Sequence, residues 1–224
     1  MQQLSDFDGK ILEGMVGTGR LLVPMLEAGL NIEGIDSSPD MLAACKKNCI
    51  SRGLNPTLYQ GEIENLDIPS KFSAIIVTLG SFMLLGNRAS ALAALAAFAR
   101  HLDTDGRIFI DLALPIDSFK VEGVVRQYEP IQCPDSSVIM MQTSSKVDWI
   151  DQVEHTFIRY EKWRDGKLID TELQHLQLHW FGIEEFMLCL QRCGFTDITL
   201  CANYQSGIKP SSYRDQLCFS AALA

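Results

Sequence analysis

The sequence predicts an α/β fold, a doubly wound parallel sheet carrying an antiparallel β insert after its fifth strand. Two observations carry that prediction. Between Lys10 and Leu114, short apolar runs alternate with stretches whose apolar residues recur every three or four positions, the rhythm of successive βαβ units. After Pro115 the rhythm changes to consecutive strand-like runs with no helix between them, which reads as an added antiparallel layer.

Ile11-Leu12 opens the first strand, and Leu21, Leu22, Met25 and Leu26 form a helical stripe closed by Gly29. Strand two is Ile32 to Asp36. Ser38 can cap the next helix with Pro39 at its first position, and Met41, Leu42, Cys45 and Ile50 follow before Gly53 stops it. Leu58-Tyr59 is a short third strand and Phe72 to Thr78 a buried fourth. An alanine-rich helix from about Ala89 to Leu102 leads through the turn Asp103 to Gly106 into a fifth strand, Arg107 to Leu112. The insert then reads as strands at Val124 to Tyr128, Val138 to Thr143, Val153 to Trp163 and Leu168 to Trp180, with Arg164 to Lys167 a hairpin turn. A helix from Glu184 to Cys193, ended by Gly194, precedes closing strands at Ile198 to Cys201 and Gln216 to Ala221. The expected organisation is one domain over 1–224, with 116–181 as an inserted substrate-side layer.

Composition narrows the function. The 224 residues are 47% hydrophobic and 21% charged, enough for a three-layer core and without a disorder signature. No apolar run reaches the ~18 residues of a membrane span, and the first residues lack the basic and apolar regions of a signal peptide, so a cytoplasmic location and no membrane partner are expected. A net charge of −9 repels polyanions and disfavours a nucleic-acid partner. Cys45/Cys49 and Cys189/Cys193 stand four apart on helix faces; they read as small core hydrophobes, and no metal is expected.

The chemistry gathers at the expected carboxyl ends of the strands, where ligands of doubly wound sheets lie. Glu13-Gly14-Met15-Val16-Gly17-Thr18-Gly19 is an acid followed by a glycine-rich turn into a helix, and Asp36 ends the next strand. Gly17 and Gly19 let backbone approach a ligand at a helix N-terminus, and Asp36 can accept hydrogen bonds from both ribose hydroxyls. A dinucleotide fingerprint would need a third glycine where Leu22 stands.

The turn resembles the glycine-rich first motif of the class I S-adenosylmethionine-dependent methyltransferases, (D/E)-x-G-x-G-x-G, matched by Glu13, Gly17 and Gly19, with Met15 in place of the first glycine. The order of elements, the insert after the fifth strand and the late Trp180-Phe181 before a helix ending in Cys-Gly-Phe extend the likeness over the chain, to the small-molecule, Rossmann-like members. The resemblance implies S-adenosylmethionine as cofactor, with Asp36 on the ribose, Ser37 and Met41 beside ribose and adenine, Glu62 on the adenine amino group and Ile63 against the ring. Glu13 and Gly14 fall in the motif, and Leu79 and Gly80 where the family lines the methionine end. Methyl transfer to a small-molecule nitrogen or oxygen nucleophile follows, with a general base optional. Asp111 at the end of the fifth strand is one candidate. Pairing of the hairpin about Asp165-Gly166 would place Glu154 opposite Gln177 and Thr156 opposite His175, with His179 on the same face, giving three more: Glu154, His175 and His179. The family usually has one or two helices before the first strand, closing over the cofactor, where this sequence has about nine residues. Either a second copy in a homodimer covers the site, or the chain is a shortened, non-catalytic cofactor-binding protein of the same fold.

Overall fold

The computed structural model describes residues 9–115 and 123–224. The chain runs through β1 (Ile11–Gly14), α1 (Leu22–Glu27), β2 (Ile32–Asp36), α2 (Pro39–Ile50), β3 (Thr57–Gln60), β4 (Phe72–Val77), α3 (Arg88–His101) and β5 (Leu102–Leu112). It continues with β6 (Arg126–Gln127), β7 (Ile131–Gln132), β8 (Val138–Asp148), β9 (Val153–Arg164) and β10 (Lys167–His179), then α4 (Ile183–Arg192), β11 (Phe195–Ala202) and β12 (Leu217–Leu223). Two compact units result, one reaching Ala113 and resuming at Gly182–Ala224, the other spanning Leu114–Phe181. Residues 1–8, and 116–122 at the start of the expected insert, lie outside the described residues.

The first unit is built on a seven-stranded sheet of order β11-β12-β5-β4-β1-β2-β3. Its pairs from β3 to β5 are parallel, while β12 runs antiparallel to both β5 and β11. One face lies under the short α1 and α2, where Ile11, Ala74 and Ile76 pack with Leu22, Met25, Cys45 and Cys49. On the other, Phe219 of β12 meets Phe186 of α4 edge-on at 4.8 Å, and Phe186 meets Phe82 at 5.6 Å. The helix starts follow from local chemistry: Ser38 accepts the Met41 N–H at 3.3 Å ahead of Pro39, and Asn87 accepts the Ser90 N–H at 2.9 Å. Arg88 and Glu185 pair at 2.7 Å and tie α3 to α4.

The expected turn at Asp103 to Gly106 lies inside a strand. Leu102 pairs with Phe72 and Arg107 with Ala74, so residues 103–106 bulge from a continuous β5, with Asp105 at φ +64°.

The second unit is a five-stranded antiparallel sheet of order β10-β9-β8-β6, with β7 also on β8. The region expected as one strand from Val124 to Tyr128 is the short β6, and β7 is additional. The hairpin register also differs from expectation. Leu168 pairs with Trp163 as expected, but a bulge before Asp170 shifts the rest by one residue, so that His175 faces Phe157, Gln177 faces His155 and Glu154 faces Leu178. One residue of slip moves a side chain to the opposite face. Glu154 and Thr156 therefore leave the face that carries His175 and His179, and the His155 ring takes their place, stacked on His175 at 5.3 Å. Among the described residues no helix is long and apolar enough to cross a membrane.

Asn87→Ala removes a cap and should lower stability by about 1 kcal/mol, a fall in melting temperature of about 2–4 °C by calorimetry.

Candidate functional site

Because β3, β2, β1, β4 and β5 are neighbours in that order and parallel, their carboxyl ends form one edge, and the predicted residues of the first unit gather there. The turn after β1 is set by left-handed backbone at Met15 (φ +56°), Gly17 (+54°) and Gly19 (+83°). At Gly19 a side chain would also force its surroundings to shift, since a Cβ would lie 2.7 Å from Cys45 Sγ, whereas at Gly17 it would meet nothing within 4 Å. Met15 holds left-handed backbone that favours glycine, at a cost of roughly 1–3 kcal/mol for a side chain in that region.

Asp36 holds this turn. Its Oδ2 accepts the Gly17 N–H at 2.8 Å and its Oδ1 the Ser38 N–H at 2.9 Å, so the carboxylate joins the glycine turn to the start of α2. The backbone carbonyl of Asp36 accepts the Gly61 N–H at 3.0 Å, bringing the segment after β3 alongside. There Ile63 is buried against the turn: a Cβ on Gly14 would lie 3.3 Å from its Cγ2. Glu62 is exposed and accepts a bond from Asn65 Nδ2 at 2.9 Å; Ser37 is also exposed, and Met41, on the first turn of α2, is 45% exposed.

Glu13 is 4% exposed. Its carboxylate accepts the backbone N–H of Leu22 at the start of α1, while Oε2 is buried without a partner among the described residues. Burial pushes its pKa up to about 8 against that one stabilising bond.

Beyond β4, Leu79 and Gly80 are both left-handed (φ +59° and +70°). The Gly80 N–H donates to Asp111 Oδ1 at 2.7 Å, and the Tyr204 hydroxyl donates to Asp111 Oδ2. Asp111 is 2% exposed, and burial, together with the Asp111 carboxylate that its hydroxyl meets, raises the Tyr204 phenol well above its ordinary value. A cleft of about 1110 Å³ runs along this face of the sheet, lined among others by Arg20, Leu79, Phe109, Asp111, Tyr204 and Cys218. Tyr204 has no signal in the sequence, because the long link from β11 to β12 returns it to β5 only in three dimensions. Glu154, His175 and His179 belong to the second unit. Among the described residues no group of three or more His, Cys, Asp or Glu could hold a metal.

Residues 11–106, which hold the glycine turn, Asp36, Glu62 and Gly80, match the family model of a methyltransferase domain. Over those residues the chain carries a methyltransferase domain of the S-adenosylmethionine-dependent kind. It is 22% identical over 213 residues to a putative methyltransferase, YqeM, of Bacillus subtilis, covering 95% of this chain and 83% of that one. Over 104 residues it is 34% identical to a glycine/sarcosine N-methyltransferase of Halorhodospira halochloris, 46% of this chain and 39% of that one. The fold matches the crystal structure of an S-adenosylmethionine-dependent methyltransferase from Clostridium acetobutylicum with a TM-score of 0.82 at 19% identity, covering 96% of this chain and 84% of that one.

S-adenosylmethionine is the cofactor of this methyltransferase. The residues present fit it: the buried Glu13 Oε2 lacks a donor, and the turn at Gly17 opens onto free space beside Asp36.

Two outcomes follow from the turn. A carboxyl with a raised folded pKa binds its proton more tightly in the folded state, so stability falls as pH rises from about 4.5 and levels off above about 8. Glu13→Gln should flatten that fall in cofactor-free protein and be the more stable form at pH 8.5, read by urea denaturation. Met15→Gly should keep S-adenosylhomocysteine affinity within about threefold by calorimetry, whereas the β-branched Met15→Val, ill suited to a left-handed backbone, should weaken it.

Proposed function

We propose that this methyltransferase acts on a small molecule at nitrogen or oxygen, and that an amine is the acceptor its site supports best. The observation that carries this is Asp111, a buried carboxylate at the end of β5 that lines the cleft beside the Leu79-Gly80 turn and already receives a hydrogen from Tyr204. In a buried setting a carboxylate favours a partner that donates hydrogen bonds or carries positive charge, which an amine does. The glycine/sarcosine N-methyltransferase relative acts on amines by its name and supports the same reading.

Glu13, Gly14, Gly17, Gly19, Asp36, Ser37, Met41, Glu62 and Ile63 are proposed to hold the cofactor, with Leu79 and Gly80 at its methionine end. The cofactor supplies a methyl group already activated on a sulfonium, so the protein's share is to position the nucleophile and exclude water. Asp111 Oδ2 would accept an N–H of the acceptor in place of the Tyr204 hydroxyl and orient the nitrogen lone pair. Choice of acceptor is proposed to involve the inserted unit, where His175 and His179 share a face of β10.

The test is transfer from radiolabelled S-adenosylmethionine to a panel of amines, amino acids and alcohols. Amines should be methylated, and Asp111→Asn, which can still accept from Gly80, should lose tenfold or more in turnover while keeping S-adenosylhomocysteine affinity. Asp36→Ala should lose roughly tenfold to a hundredfold in that affinity, the value of a charge-assisted contact of about 1.5–3 kcal/mol. Methylation of alcohols alone, or full turnover by Asp111→Asn, would overturn the amine reading.

A further inference from the structure

Alternate residues of β5, β12 and β11 face the cleft, and one cross-strand row of that face carries two thiols. Asp111 on β5 pairs with Cys218 on β12, which pairs on its other side with Cys201 on β11. Both cysteines are free, half-buried and part of the cleft wall. Directly opposed residues of an antiparallel pair have Cα atoms about 4.5–5.5 Å apart, inside the range that a disulfide spans. As directly opposed residues, Cys201 and Cys218 also stand on the same face of the sheet. Of the other cysteines in the first unit, Cys45 and Cys49 are fully buried, and Cys189 and Cys193 do not line the cleft.

We infer that Cys201 and Cys218 are a reversible thiol–disulfide site on the wall of the cleft, oxidised by peroxide or by a small-molecule disulfide. With hydrogen peroxide, Cys201 Sγ attacks one oxygen, the O–O bond breaks, and a sulfenic acid and water form. Cys218 Sγ then displaces the sulfenic hydroxyl as a second water and the S–S bond closes. Two thiols give up two electrons and two protons, and one peroxide becomes two waters.

The bond would staple the ends of the segment 202–217, which carries Tyr204. Cys218 Sγ accepts the Tyr204 backbone N–H at 3.3 Å, and the Tyr204 side chain rests on Asp111. Oxidation therefore changes one of the two anchors of the residue that covers Asp111. Asn203 and Tyr204 are both left-handed (φ +53° and +61°), a backbone held in place by such anchors.

The test is independent of the acceptor. Reduced protein is treated with hydrogen peroxide, remaining thiols are blocked with N-ethylmaleimide, and the non-reduced tryptic digest is read by mass spectrometry. Trypsin cuts after Arg192 and Arg214 but not between Lys209 and Pro210, so fragments 193–214 and 215–224 should appear joined, and separate again with dithiothreitol. The first fragment also contains Cys193, which donates to the Leu92 carbonyl rather than lining the cleft. Cys193→Ser should therefore keep the link, and Cys201→Ser and Cys218→Ser should each lose it. Both thiols recovered as maleimide adducts, sulfinic acid at either without a link, or a link that survives Cys201→Ser would overturn the inference.

Discussion

The carboxylate of Asp36 is the contact on which the cofactor edge depends. It ends β2, and by accepting the N–H groups of Gly17 and Ser38 it ties a left-handed glycine turn that the Val16 N–H to Ile35 and the Asn48 amide to Thr18 also hold. With its carbonyl on Gly61 it gathers three connections, after β1, β2 and β3, around one residue. On the proposed reading of Asp36 as a ribose-binding acid, it is also the mortar of its own pocket, so a loss of ligand affinity on its removal mixes a lost contact with a loosened turn.

Two other buried acids show how environment divides roles among carboxylates. Glu13 has one backbone donor and one unpartnered oxygen, and its proton affinity rises accordingly. Asp111 has both oxygens engaged, by Gly80 and Tyr204, and acts in the structure as a clamp across β4, β5 and the link from β11 to β12. Four of the nine non-glycine residues with positive backbone angles among the described residues, Met15, Leu79, Asn203 and Tyr204, lie beside them. Strain of this kind persists when surrounding bonds over-determine it, and here the surrounding bonds are those of the site.

Much of this was legible in the sequence, and for physical reasons. The βαβ rhythm from Ile11 to Leu112 follows from burial of alternating layers, and the acids at strand tips, Glu13, Asp36 and Asp111, stand out because charge is rare beside such apolar runs. Local caps at Ser38 and Gly194 were readable from residue type alone. What escaped depends on events the local pattern does not encode. The bulge at residues 103–106 is absorbed by a strand that continues on both sides of it, and the bulge before Asp170 reverses the faces of β9 relative to the distal part of β10, separating Glu154 from His175. Tyr204 reaches Asp111, 93 positions away, through the sheet order rather than through any motif.

The position of β12 has a consequence for how the chain acquires this structure. It follows every other strand in sequence yet lies inside the sheet, between β5 and β11. During synthesis the β1 to β5 core can form early from near neighbours, but β5 keeps an unpaired edge, and β11 has no place to dock, until β12 emerges. Pairings over such long separations are slow, and an open edge is exposed to wrong partners while it waits. The wall that carries Cys201, Cys218 and Tyr204 is thus the last part of the fold to close, and chaperone demand should fall on that side of the molecule.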